Sequence, residues 1–206
     1  MIATARQSFA EHGFTVSDEA IAAAADMPLE RFQRLAPDRA ALIEAVIAPL
    51  FAERWHPEWS AILVDRTKPL AQRLAEIYVE YRERVDRTDA RLWTWAGLAG
   101  AHASGRISGT LTEKLLAPII GELRHECGLR GFSERPLCTL ERELAQALHG
   151  AIAFVNTRRF VFGARIDDPL EVLVPMIVRA FLPGAREELE RIHRERPHSA
   201  RSADAR

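Results

Sequence analysis

Apolar residues recur along this chain at three- and four-residue spacing, and no stretch alternates apolar with polar as a strand would. That period belongs to amphipathic helices, so an all-α fold is predicted. Ile2, Ala5 and Phe9 give a first helix its apolar face, and Gly13 after His12 suits a left-handed cap at its end. Ser17 can accept a backbone N–H at the start of a second helix, with Asp18 and Glu19 in its favourable first turn. Beyond Ile21 that helix is almost all alanine, which lets another helix cross it closely. Asp26-Met27 reads as a tight break, because Asp tolerates the left-handed region better than most residues. Pro28 suits the opening of a third helix, and Ala36-Pro37 stops it. A fourth helix begins at Pro37 or Asp38 and carries Ala41, Leu42, Ala45 and Val46. Two short helices joined by a three- to four-residue turn and backed by a third make a helix-turn-helix.

The same periodicity continues beyond this segment. Ala40–Leu63 reads as a long connecting helix with Pro49 inside it and Pro57 near its end, where a missing backbone donor kinks or breaks a helix. A helix from Thr67-Lys-Pro69 to about Asp86 and another over Thr88–Ala103 follow, with Ser104–Gly109 as a flexible connection. Thr110–Glu126 contains Pro118 and Gly121 and is expected to bend. Leu137–Phe160 carries Leu140, Leu144, Leu148, Ala151, Ile152 and Val155, with small Gly150 and Ala153 allowing close approach. Leu170–Leu182 is apolar nearly all round, and Pro183-Gly184 is expected to end it before a short charged helix. An apolar surface of that kind needs a cover on every side, which points to a partner subunit, with Val174 and Ile177 at the interface. From about residue 196 the chain is polar with no apolar face, a flexible tail.

Phe9-Ala-Glu-His-Gly-Phe14, Ile21-Ala-x-Ala-Ala25, Phe32, Pro37 and Ala41-Leu42 together resemble the N-terminal domain of the TetR (tetracycline-repressor-like) family of bacterial regulators. The resemblance implies a DNA-binding helix-turn-helix domain over residues 1–45 and a larger helical domain over 46–195. That second domain would bind a small ligand and form a homodimer through the last two long helices, with the recognition helix near Pro28–Leu35. This chain departs from the family's pattern at several places. Asp26 stands at the family's turn glycine, Pro28 at its serine or threonine cap and Glu30 at a second glycine. Gln33 replaces a tyrosine commonly used on phosphate, Leu35-Ala36 replace an aromatic pair, and Glu19 falls where a basic residue is common. Arg39 keeps the basic residue that opens the fourth helix.

Charge sharpens these departures. Residues 1–45 hold four basic and seven acidic residues, a net of −3, and the remainder of the chain nets +2. Phosphate contacts by Lys and Arg supply most non-specific DNA affinity, so duplex binding must rest on Arg31, Arg34 and Arg39. Overall net charge is −1, which argues against general affinity for nucleic acid or anionic membrane. The chain of 206 residues has no apolar run approaching eighteen and no signal peptide before the first helix, so no membrane partner and a cytoplasmic location are expected. All but two of its 28 basic residues are Arg, a coding bias rather than a functional signal. Cys127 and Cys138 lack C-x-x-C spacing and are expected as free thiols.

The candidate DNA-binding residues are Arg31, Arg34, Arg39, Leu29, Gln33 and Ser17. The alternative for the arginines is a solvated face balanced by Glu30 and Asp38, and for Leu29 a place in the core. The candidate ligand-binding residues are Trp59, Tyr78, Tyr81, Trp93, Trp95, His102, Phe154 and Asn156, on middle and late helices. Aromatic walls with few polar anchors describe many small-molecule pockets, so an apolar or aromatic ligand is expected; ordinary core packing is the alternative for each residue. His102, His125, His149 and Cys127 show no metal-ligand spacing, and no catalytic constellation stands out. Neither cofactor, metal nor enzymatic activity is expected. Two functions remain open: a ligand-responsive transcriptional regulator, or a protein of the same fold that has lost DNA reading and binds small molecules or other proteins.

Overall fold

The structure is a computed structural model and describes residues 1–52, 56–100 and 109–195. The protein is all-α, with no strand among the described residues. Its helices are α1 (Ile2–His12), α2 (Asp18–Ala24), α3 (Leu29–Leu35), α4 (Arg39–Ile47) and α5 (Pro49–Ala52). There follow α6 (Pro57–Val64), α7 (Leu70–Glu83), α8 (Arg87–Leu98), a π-helical turn (Thr112–Leu116) running into α9 (Ala117–Glu126), α10 (Thr139–Phe160) and α11 (Leu170–Glu195).

The chain divides into two compact units. The first comprises Met1–His56, Glu80–Gly109 and Ala153–Asp167. Its core gathers Ala5, Phe9 and Ala10 of α1, Ile21 and Ala22 of α2, Phe32 of α3, and Leu42, Val46 and Ile47 of α4. Leu92 and Ala96 of α8 close the same core, and α1 packs along α8. The expected 1–45 segment therefore does not bury its own apolar face alone; α8 from later in the chain completes it. The punctuation of this segment follows the sequence closely. Ser17 Oγ accepts Ala20 N–H at 3.2 Å, and Asp38 Oδ1 accepts Ala40 N–H at 2.9 Å. Asp26 holds φ at 49°, the left-handed break expected of it. Gly13 has φ 79° with ψ −178° rather than the left-handed helical value, a backbone region open essentially to glycine alone. A Cβ there would meet the Trp95 ring at 3.2 Å, so the turn after α1 sits directly on α8.

The second unit comprises Pro57–Val79, Thr110–Ile152 and Asp168–Arg206. Within it α9 packs against α6 and α11. Trp59, Leu63, Leu74, Tyr78, Ile119, Ile120, Leu123, Leu148, Ile152, Val174, Val178 and Leu189 are among its buried residues.

Two expectations about the helices are corrected, and a third meets an unforeseen local geometry. The connector is not one helix: α4 stops at Ile47, α5 starts on Pro49, and α6 starts on Pro57 after non-helical His56. A proline has no donor for the preceding turn, and its ring fits the first turn of a new helix. Near Pro118, where a bend is expected, the backbone carries the π turn, in which Ala117 N–H reaches Thr112 O just before the residue that has no N–H. Pro183-Gly184 does not end the last helix; α11 passes through both Pro175 and Pro183. Its buried stripe of Val174, Val178, Leu182, Ala185, Leu189 and Ile192 crosses the prolines without a break, and packing along it outweighs the missing hydrogen bonds. His102, the Ser104–Ser108 part of the expected connection and the 196–206 tail lie outside the described residues.

Candidate functional site

The segment expected as a helix-turn-helix comprises α2, the left-handed residue Asp26 and α3, with α2 packed on both α3 and α1. One side chain, Phe32, fixes α3 to the core, with Leu29 half-buried beside it. Leu29 thus takes the core role held open for it. Glu30, Arg31, Gln33, Arg34 and Leu35 point outward, Leu35 with 54% of its surface exposed. Neither Arg31 nor Arg34 is held by another side chain or carbonyl among the described residues. Three long polar side chains on one exposed short helix can reach the edge of a groove.

Arg39 is placed differently. Its Nη1 donates to Asp18 Oδ1 at 2.7 Å, and its Nη2 donates to the carbonyls of Phe14, at 3.2 Å, and Val16. Its guanidinium lies 4.7 Å from the centre of the Phe9 ring. The side chain ties the start of α4 to the turn between α1 and α2, so its donors serve the fold of the head. Ser17, the other residue expected near phosphate, uses its hydroxyl as the cap of α2.

The aromatic set does not gather in one unit. Trp59 and Tyr78 lie buried in the second unit, where the Tyr78 ring stands 6.0 Å from that of His149. Tyr81, Trp93, Trp95, Phe154 and Asn156 belong to the first. Trp95 is packed over Gly13, while Trp93 and Phe154 are 41% and 48% exposed, Phe154 edge-on to Phe162 at 5.9 Å. Asn156 is buried, and its amide donates to the carbonyls of Arg82 and Val85 at 3.2 and 3.3 Å, closing the end of α7.

Two buried charge clusters in the second unit were not anticipated. Glu122 of α9 accepts from Arg66 at 2.9 Å and from Arg73 at 2.7 Å. Burial pushes its carboxyl up, but the hydrogen bonds from Arg66 and Arg73 outweigh that and hold it below the usual range. Glu141 of α10 receives two parallel bonds from Arg124 of α9, at 2.8 and 2.6 Å. The Cys138 N–H at 2.9 Å and His193 Nε2 of α11 at 2.8 Å complete its surroundings. Burial again raises this carboxyl; the bonds from Arg124, the Cys138 amide and His193 together bring it down to about 2. The sequence does carry a signal for these groups. Glu141 stands in register with Ala145, Leu148 and Ile152, and Glu122 and Arg124 flank Leu123, so charges interrupt apolar stripes. A charge in such a position is tolerated only when paired.

The two C-terminal helices each leave an apolar row outside. On α10, Leu140, Ala147, Ala151 and Phe154 are exposed and Leu144 half-exposed, an alternation of three and four residues. On α11, Val172 and Met176 are 54% and 47% exposed. Val174, expected at an interface, is wholly buried within its own chain, and Ile177 is partly so.

No group of three or more His, Cys, Asp or Glu among the described residues is placed to hold a metal ion. Nor is any helix among them long and apolar enough to cross a membrane. Compared with family models, curated proteins and solved structures, the chain matches none.

Proposed function

We propose that this protein is a ligand-responsive transcriptional regulator of the TetR type, which binds operator DNA as a homodimer through α2 and α3. The observation that carries the reading is the outward face of α3, where Arg31, Gln33 and Arg34 have no internal role while Phe32 anchors the helix from beneath. The homodimer rests on the exposed rows of α10 and α11. A three-four alternation such as Leu140, Leu144, Ala147, Ala151, Phe154 is the seam by which one helix packs on another. An apolar or aromatic ligand rests on the aromatic residues alone, of which Trp59 and Tyr78 already serve as core.

A second reading has its own support. With Arg39 engaged inside the head and a net charge of −3 over residues 1–45, few cations remain for phosphate. That composition favours a protein that keeps the fold and binds small molecules or other proteins instead. Selection from random duplexes, followed by titration of the enriched sequence at several salt concentrations, separates the two. The regulator gives a preferred, two-fold-symmetric site whose affinity falls with salt less steeply than that of a basic head. Failure to enrich any sequence rejects the regulator in favour of the second reading.

A further inference from the structure

Away from α3, the first unit has an open groove of about 370 Å³ between α1 and α8. Gln7, Ala10 and Glu11 form one wall and Arg87, Thr88 and Arg91 the other. We propose that this groove is a binding site for a small molecule bearing an oxyanion, a phosphate or a carboxylate. The volume lies within the range of small-molecule clefts, about 300–1,000 Å³. The donors around it are unusually dense. Arg87 has no partner among the described residues. Arg91 donates Nε to Ala10 O at 2.7 Å and Nη2 to Glu11 O at 3.1 Å, which fixes its position and leaves Nη1 unbound among them. A guanidinium held this way loses little freedom when it takes up an anion, and its fork matches two oxygens. The Thr88 hydroxyl donates to Gln7 Oε1 at 3.4 Å across the groove, a long bond that an incoming oxyanion can replace. Arg87 and Thr88 also lie in the first turn of α8, the positive end of its dipole.

The charges facing the groove are two arginines against one carboxylate. Glu11 is partly satisfied already, by the Gln7 amide and by His12 Nε2 at 3.7 Å. The neighbouring acids Asp86 and Asp89 both pair with Arg6, and Asp89 is buried. An occupant would bridge α1 and α8, the pair of helices that together close the head core. The site does not depend on DNA being read by α3.

The test uses the full chain. Inorganic phosphate and, in a separate arm, succinate are titrated at constant ionic strength while the backbone amide signals of Gln7, Thr88 and Arg91 are followed by NMR. Saturable displacement in at least one arm is expected. Saturation by phosphate alone assigns the phosphate source, and saturation by succinate alone the carboxylate. Arg87→Ala should weaken binding about tenfold, the loss of roughly one charge-assisted contact. Glu11→Gln should tighten it several-fold by removing the opposing carboxylate. Arg31→Ala makes the same charge change on α3 and should leave the binding of both anions unchanged. Non-saturating shifts in both arms, or an equal loss from Arg31→Ala and Arg87→Ala, overturn the proposal, since net charge rather than the groove is then responsible. Because both wall residues are surface groups, melting curves of the variants should match the parent. If Arg87→Ala perturbs the fold, Glu11→Gln still decides: no gain in affinity refutes the site.

Discussion

Two sets of arginines, one from each unit, are used in opposite ways. In the second unit arginines are buried with their carboxylates: Arg124 and Glu141 are 1% and 0% exposed at their side chains, and Arg73 and Glu122 are 3% and 6%. In the first unit Arg31, Arg34 and Arg87 stand outside with no partner among the described residues. Arg39 is intermediate, partly exposed yet bonded to Asp18 and two carbonyls. In a chain whose cations are nearly all arginine, residue type says nothing about role. Commitment does: an arginine whose donors are already used holds the fold, and one whose donors are free is available to something else.

Breaking the buried side of this comparison should have the largest effect. Arg124→Ala leaves Glu141 charged and buried, and also frees the carbonyls of Arg130, Arg135 and Pro136 that Arg124 holds. Removing one partner of a buried pair costs about 3–5 kcal/mol, to be read from urea denaturation. Acid sharpens the same point. Because the Glu141 carboxyl is depressed to about 2 in the folded chain, its stabilisation is complete above the unfolded value near 4.5 and is lost as pH falls toward 2. Roughly 3 kcal/mol should disappear across that window, and a Glu141→Gln chain should show a correspondingly flatter acid limb.

Effects should shrink on moving to the head. Arg39→Ala removes its bonds to Asp18, Phe14 and Val16 together with the stacking on Phe9, and should cost about 1–2 kcal/mol in thermal or urea melts. Arg31→Ala should leave those melts unchanged and instead relax sequence preference on a selected duplex by about 1–3 kcal/mol. If both variants lose stability alike, the division between committed and free arginines is wrong. Met176→Asp on the exposed row of α11 should also change protomer stability little, while turning the proposed dimer into folded monomers by light scattering. Val174→Asp serves as its contrast: that residue is fully buried in its own chain, so the substitution should unfold the protein rather than separate subunits.

Much of the architecture was legible beforehand. The Ser17 cap, the break at Asp26 and the core positions Ala5 and Phe9 follow from local rules of period, capping and backbone preference, although Ile2, expected on the same face, is 41% exposed. The end of α11 was not. Proline at 183 and glycine at 184 are strong local signals for a stop, yet Ala185, Leu189 and Ile192 continue the buried stripe beyond them. Whether a helix survives a proline depends on what its far side packs against, and that partner is distant in sequence.

The candidate site divides along the same line. That α3 would be short was determined by the sequence, because Pro28 opens it and Ala36-Pro37 stops it. Which of its neighbours were free to act was decided only by the tertiary structure. Arg39 and Arg31 are indistinguishable as letters; Asp18, Phe14, Val16 and Phe9 converge on one of them and not the other. In the same way α8, Arg91 and Thr88 come beside α1 from about eighty positions away. Local periodicity is set by neighbours within a turn or two, whereas satisfaction of a charge is set by whatever the fold brings within three ångströms of it.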